Sequence, residues 1–157
     1  MNHFWDIPWG VSIEQAEKVF DERGFNSVRG EKCLITHAKY EREAATIILV
    51  FNKVNRFCSA NVVYSSTDDT VLTHYDNYRK VLFRRYGMPD KAVEYYDEPY
   101  EKGDGKVIEA IQAGKSLHFT EWKFNDNCFA SVTILPNINI CLTFKNPAYE
   151  DSTVARQ

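Results

Sequence analysis

The chain has 157 residues, of which 44% are hydrophobic and 26% charged, and its formal net charge is -3. That length suits one ordinary domain, which buries roughly 68–70% of the surface its unfolded chain exposes and can form a core without disulfides or metal. The weak acidic balance argues against a dedicated nucleic-acid binder, which carries a basic face, and no run of about 18 apolar residues predicts a transmembrane helix.

Met1 to Gly10, with Phe4, Trp5, Ile7, Pro8 and Trp9, reads as an extended aromatic lead-in. It lacks a basic region followed by an apolar core, so it is not a signal peptide. The expected location is the cytoplasm; the alternative is an exported protein whose leader is absent from the sequence. Ser12-Ile13-Glu14-Gln15 then forms a capping-box pattern. Ile13, Ala16 and Phe20 follow as one apolar stripe, and Gly24 stops it, so a helix is predicted over Ile13–Arg23.

Three strand-like runs come next, over Lys32–Glu41, Ala45–Asn52 and Phe57–Ser65. In the third, Cys58, Ala60, Val62 and Tyr64 alternate with Ser59, Asn61 and Val63, the period of a half-buried strand. Short polar turns between the runs predict an antiparallel meander. A second helix is predicted over Asp69–Tyr86 from Val71, Tyr75, Tyr78, Leu82 and Tyr86. Arg79, Lys80, Arg84 and Arg85 complement the dipole of its C-terminal half, and Gly87 and Pro89 end it. Val93–Tyr96 reads as a short strand and Asp97–Gly105 as an acidic, tyrosine-containing loop. Asp104 is then expected to cap a short helix through Val107, Ile108 and Ile111, closed by Gly114. Three last strands follow over Leu117–Asn125, Cys128–Leu135 and Ile138–Lys145. Asp126-Asn127 and Pro136-Asn137 are expected as their two-residue turns.

The expected architecture is a single α+β domain over residues 1–149, with a polar tail over 150–157. Two helix-plus-three-strand meander units form an antiparallel sheet with the helices packed on one face. Lys18-Val19-Phe20 and Lys80-Val81-Leu82 occupy similar places in the two helices, as an internal repeat would place them.

Trp9-Gly10-Val11-Ser12, followed by Glu14 and Ala16 on a helix, resembles the start of small bacterial α-β-β-β units, and Tyr86-Gly87-Met88-Pro89 resembles their helix ends. Such units occur in the beta-lactamase-inhibitor-protein-like and SmpA-like outer-membrane assembly lipoprotein families and in related bacterial proteins of unassigned role. The resemblance covers two short segments and the order of elements. It implies antiparallel sheet with helices packed on it and a role in binding another protein, and it carries over no functional residue. Those families are exported and often lipid-anchored or disulfide-bonded, whereas this chain shows neither leader nor lipobox cysteine.

Motifs for catalysis are missing, which leans away from an enzyme. Ala113-Gly114-Lys115-Ser116 looks like the end of a phosphate-binding loop, but Glu109 stands where the motif needs glycine. A helix precedes it instead of following it, so a helix C-cap is expected. The four cysteines, Cys33, Cys58, Cys128 and Cys141, contain no C-x-x-C pair and read as reduced core residues, although export would permit disulfides. A cysteine paired with a distant histidine stays open as a nucleophile. His3, His37, His74 and His118 show no ligand spacing and read as structural or solvated. Neither cofactor nor metal is expected.

Two functions remain. The first is a non-enzymatic protein-binding module using the segment from Tyr95 to Glu101. There Tyr95, Tyr96, Glu98 and Tyr100 interleave phenols with carboxylates, a composition suited to a basic partner. The second is a small-ligand binder or enzyme with an aromatic pocket between helices and sheet, lined by rings such as Trp122 and Tyr78. Edge strands make homodimerisation compatible with the sequence without requiring it.

Overall fold

The structure is a computed structural model and describes residues 1–151. The element order is β1 (His3–Phe4), β2 (Ile7–Pro8), α1 (Ile13–Glu22), β3 (Ser27–Gly30), β4 (Cys33–Tyr40), β5 (Glu43–Phe51), β6 (Phe57–Tyr64), α2 (Val71–Tyr86), β7 (Lys91–Tyr96), α3 (Val107–Gln112), β8 (Ser116–Lys123), β9 (Phe129–Ile134), β10 (Ile140–Lys145) and a 3-10 turn (Pro147–Tyr149). The chain is α+β. β1 and β2 form a hairpin, and the other strands join in the order β3-β4-β5-β6-β10-β9-β8-β7. The residues group into two compact units. One holds Met1–Val62, Phe124–Phe129 and the chain from Thr143; the other holds Val63–Lys123 and Ala130–Leu142. No helix among the described residues is long and apolar enough to cross a membrane.

The first unit is built around aromatic rings. The capping box forms: Ser12 Oγ accepts from the Gln15 amide and Gln15 Oε1 accepts from the Ser12 amide, at 3.1 and 2.8 Å. α1 buries Ile13, Ala16 and Phe20. Gly24 and Phe25 close it by donating back to Asp21 and Phe20, the hydrogen-bond pattern of a Schellman end. The aromatic lead-in is a hairpin. Trp5 and Asp6 both take left-handed φ, 54° and 62°, which suits a tight two-residue turn. It delivers Phe4 to Phe144 and Tyr40, and Trp5 to Phe25 and Phe20. Glu41 and Arg42 repeat this turn, at φ 51° and 72°, between β4 and β5, whose register pairs Tyr40 with Glu43 and Cys33 with Val50. β3 is a strand that periodicity missed, because Ser-Val-Arg-Gly has no alternation to read. It pairs with β4, and Arg29 on it reaches both oxygens of Glu17 on α1 at 3.0 Å.

In the second unit α2 buries Val71, Tyr78 and Leu82 and leaves Tyr75 and Tyr86 half-buried. Tyr78 stacks on Tyr64, centroids 4.3 Å apart. α3 ends with Gly114 and Lys115 donating to Ile111 and Ala110, so the phosphate-loop look-alike is a helix C-cap, as expected. Asp104 does not cap α3. Its carboxylate accepts from the amides of Lys106 and Glu101, at 2.8 and 3.0 Å, and so ties up the loop before the helix. The β9–β10 turn is longer than expected. Leu135 donates to Asn139 and accepts from Ile138, which makes a three-residue loop with Ile138 in the left-handed region at φ 67°. A type I turn followed by such a residue is a common hairpin closure, but a β-branched residue there is unusual and hid the turn from sequence. The turn between β8 and β9 closes the same way at Asn127.

Glu150 and Asp151 of the expected tail are described, and Asp151 accepts from the Lys53 amide at 3.0 Å; residues 152–157 lie outside the described residues. Cys33, Cys58, Cys128 and Cys141 form no disulfide among the described residues.

Candidate functional site

The second unit contains a cleft of about 400 Å³. α2 supplies Tyr75, Asp76 and Arg79 to it, β7 supplies Glu94 and Tyr96, and β8 supplies His118 and Thr120. The antiparallel register of β7 and β8 builds the floor. It sets Ala92 opposite Thr120, Glu94 opposite His118 and Tyr96 opposite Ser116. Directly opposed residues share a face of a sheet. One face of this strand pair therefore carries a polar strip that runs beneath α2, where the Tyr75 hydroxyl meets Thr120 Oγ1 at 2.8 Å.

The alternation of β8 is inverted. Leu117 is 43% exposed, while His118 and Thr120 are 6% and 1% exposed. A strand that simply covered a core would bury Leu117 and Phe119 and expose the polar residues. Here the polar face goes inward, and two groups on it have no partner. Ser116 Oγ and His118 Nε2 are buried side-chain atoms without a hydrogen bond. Buried polar groups are nearly always paired, so an orphan needs an explanation. His118 supplies a geometric one, because its ring lines the cleft. Tyr75 and Tyr96 stand almost perpendicular to that ring, with centroids 6.1 and 5.8 Å away.

The charges follow from these contacts. Burial lowers the His118 pKa from its ordinary 6.5, and the facing Glu94 carboxylate pulls the other way with smaller effect. His118 is thus a neutral imidazole at neutral pH. Burial, together with the hydrogen bond its hydroxyl donates to Glu94, pushes the Tyr96 phenol up to about 12. Burial raises Tyr75 as well. Asp76 accepts from Arg79 at 2.6 Å and from Lys80 at 2.9 Å, and these hydrogen bonds lower its pKa.

A pH prediction follows for His118. The unfolded chain takes up a proton there as the pH falls below 6.5, whereas the folded protein resists it until a lower pH. Between those two values the unfolded state binds more protons, so stability falls with the pH. Full stability is therefore present above pH 6.5 and is lost as the pH drops through the folded pKa. His118→Gln, which carries no titrating group, is expected to flatten the melting temperature over that window, measured against the native protein from pH 8 to pH 5. An equal acid slope in both proteins would place the loss at other groups.

The segment singled out in the sequence is divided by the fold. Tyr95 and Tyr96 end β7, on the strand expected over Val93–Tyr96. Tyr96 turns to the cleft, while Tyr95 is 53% exposed and its hydroxyl donates to Asp97. Glu98 is exposed, and Tyr100 is half-buried with its phenol against Glu109. Trp122 is 1% exposed and donates its indole N–H to the Gly87 carbonyl at 2.8 Å. It floors a second, smaller groove of about 330 Å³ beside Phe83 and Met88. Neither Tyr78 nor Trp122 lines the larger cleft; Tyr75, one turn from Tyr78, does. His37 and His74 pair with Thr46 and Ser66 hydroxyls, and His3 lies 3.4 Å from Asp6.

Burial pushes the Cys58 thiol up to about 11, which disfavours the thiolate at neutral pH, and its Sγ–H points to the Val50 carbonyl. Burial likewise raises Cys128 to about 11. Among the described residues no group of three or more His, Cys, Asp or Glu is placed to hold a metal ion. The cleft is lined by one neutral imidazole, two phenols, the carboxylates of Asp76 and Glu94 and the guanidinium of Arg79. Compared with family models, curated proteins and solved structures, the chain matches none.

Proposed function

We propose that this protein binds a small molecule in the cleft of its second unit. The observation that carries the proposal is His118, whose ring lines the cleft and whose Nε2 is buried and unpartnered. A ligand that hydrogen-bonds there would satisfy an atom that otherwise costs about 1–3 kcal/mol to leave unpaired. The volume lies at the small end of the 300–1,000 Å³ typical of ligand pockets, and its convergent polar groups are the kind that fix a ligand's orientation.

The test is a fragment screen on the intact protein, read by NMR from the imidazole of His118 and by thermal shift. Hits are expected to move the His118 ring signals and to be lost in a folded His118→Phe variant, whose larger apolar ring removes the acceptor. Hits that bind the variant equally well, or a screen with none, would count against the cleft.

A second function, docking of another protein, is favoured by the opposite face of the same strands. Tyr95 and Leu117 are 53% and 43% exposed there, and exposed apolar clusters of this kind mark interaction surfaces. The expected duplication of a helix-plus-three-strand unit, α1 with β4 to β6 and α2 with β8 to β10 and helices on one face of the sheet, is kept as part of this proposal, with β3 and β7 as an added strand in each copy. The order β3-β4-β5-β6 mirrored by β7-β8-β9-β10 supports that duplication.

A further inference from the structure

Resting on the binding function proposed above, we infer that the cleft selects a small organic cation, an amine whose ammonium lies beside Glu94 and the rings of Tyr75 and Tyr96 and donates an N–H to His118 Nε2. Three observations carry this.

The first is the sign of the available charge. Of the charged residues lining the cleft, Arg79 and Asp76 answer each other, with Lys80 as a further partner of Asp76. Glu94, which accepts from the Tyr96 hydroxyl at 3.0 Å, is the carboxylate beside His118. The Lys102 ammonium stands 3.9 Å from it, on a side chain that is 80% exposed. A solvated pair at that distance is worth little and yields easily to a better-placed cation.

The second is the state of the imidazole. A neutral ring presents one donor and one acceptor nitrogen, whereas a charged ring presents only donors. Burial keeps His118 neutral, so Nε2 is available to accept from an ammonium when the proton is on Nδ1. The register that opposes Glu94 and His118 puts carboxylate and acceptor side by side, and one nitrogen with several N–H bonds can address both.

The third is the aromatic walls. Tyr75 and Tyr96 both stand edgewise to the imidazole, and both phenols stay protonated well above neutral pH. Neutral phenol rings attract a cation through their π faces.

Benzylamine and benzoate test the inference at neutral pH. They share a ring and differ in the sign of one group. Titrated separately into the full-length protein, benzylamine is expected to shift the His118 ring signals saturably, and benzoate to leave them in place. Glu94→Gln keeps an acceptor for the Tyr96 hydroxyl but removes the charge; it is expected to weaken benzylamine by at least about tenfold. Added salt is expected to weaken it as well. Benzoate binding as tightly as benzylamine, or Glu94→Gln leaving the affinity unchanged, would overturn the cation while leaving a ligand site at His118. Absence of any benzylamine shift at His118 would also overturn it. The broader binding function is judged separately, by the fragment screen, and falls only if that screen finds nothing at His118.

Discussion

Trp122→Ala is expected to destabilise the protein by about 3–5 kcal/mol, the range for deleting a buried Phe or Trp side chain. Trp122 is 1% exposed and is among the largest fully buried side chains. Its loss removes packing against Tyr86, 6.4 Å away between ring centroids, and opens a cavity beneath Phe83 and Met88. It also takes away the donor that satisfies the Gly87 carbonyl at the end of α2. In a chain of this size the melting temperature should fall by roughly 6–20 °C, which calorimetry would read directly. Trp122→Phe separates the two contributions, because it keeps most of the ring and loses only the N–H. It should cost about 1–3 kcal/mol, the penalty of an unpaired buried acceptor. An alanine variant melting within a degree or two of the native protein would show that the indole does not support the second unit.

Gly10→Ala is expected to cost about 2–4 kcal/mol, from two separable sources. Gly10 has φ of 86°, and a methyl group there would lie 2.6 Å from Tyr149 Cε1 and 2.7 Å from Cζ. Gly24 has a similar φ of 78° with nothing within 4 Å. Gly24→Ala therefore reports the backbone cost alone, about 1–2 kcal/mol. The difference between the two variants measures the collision with the ring. Tyr149→Ala should remove that difference when combined with Gly10→Ala, and chemical denaturation of the four proteins forms the required double-mutant cycle. The location explains the sensitivity. The Gly10 amide donates to the Phe57 carbonyl at 2.8 Å, and the Tyr149 carbonyl accepts from Asn52 Nδ2 at 2.6 Å. Lead-in, β6 and final turn are thus held together at a point where only hydrogen fits. Equal losses at Gly10 and Gly24 would mean the Tyr149 ring moves aside freely.

Much of the local structure was legible because it is encoded by neighbours in sequence. Ser12 and Gln15 cap α1 within one turn of chain, Gly24 and Gly114 end helices through their own φ, and the stripe Val71, Tyr78, Leu82 follows from 3.6-residue periodicity. The hairpin at Trp5-Asp6, β3 and the left-handed Ile138 were not legible. β3 is too short to show alternation, Trp5 and Ile138 are residue types that rarely take positive φ, and packing or pairing elsewhere imposes these conformations.

The candidate site was hidden for a different reason. Tyr75, Glu94 and His118 each look ordinary in their own segments, and of the residues picked from the sequence only Tyr96 reaches the cleft. Alternation in Leu117-His118-Phe119-Thr120 invites the apolar residues inward, yet the structure turns the polar ones in. Period-two patterning says which residues share a face, not which face is covered. By itself the sequence determined the α+β class, the helices and most of the strands, because capping, turn chemistry and periodicity act over a few residues. The tertiary structure alone decided that Glu94 opposes His118, that Tyr75 closes over them and that an imidazole nitrogen is buried without a partner. Register and face are settled by contacts between distant segments, and no local pattern specifies them.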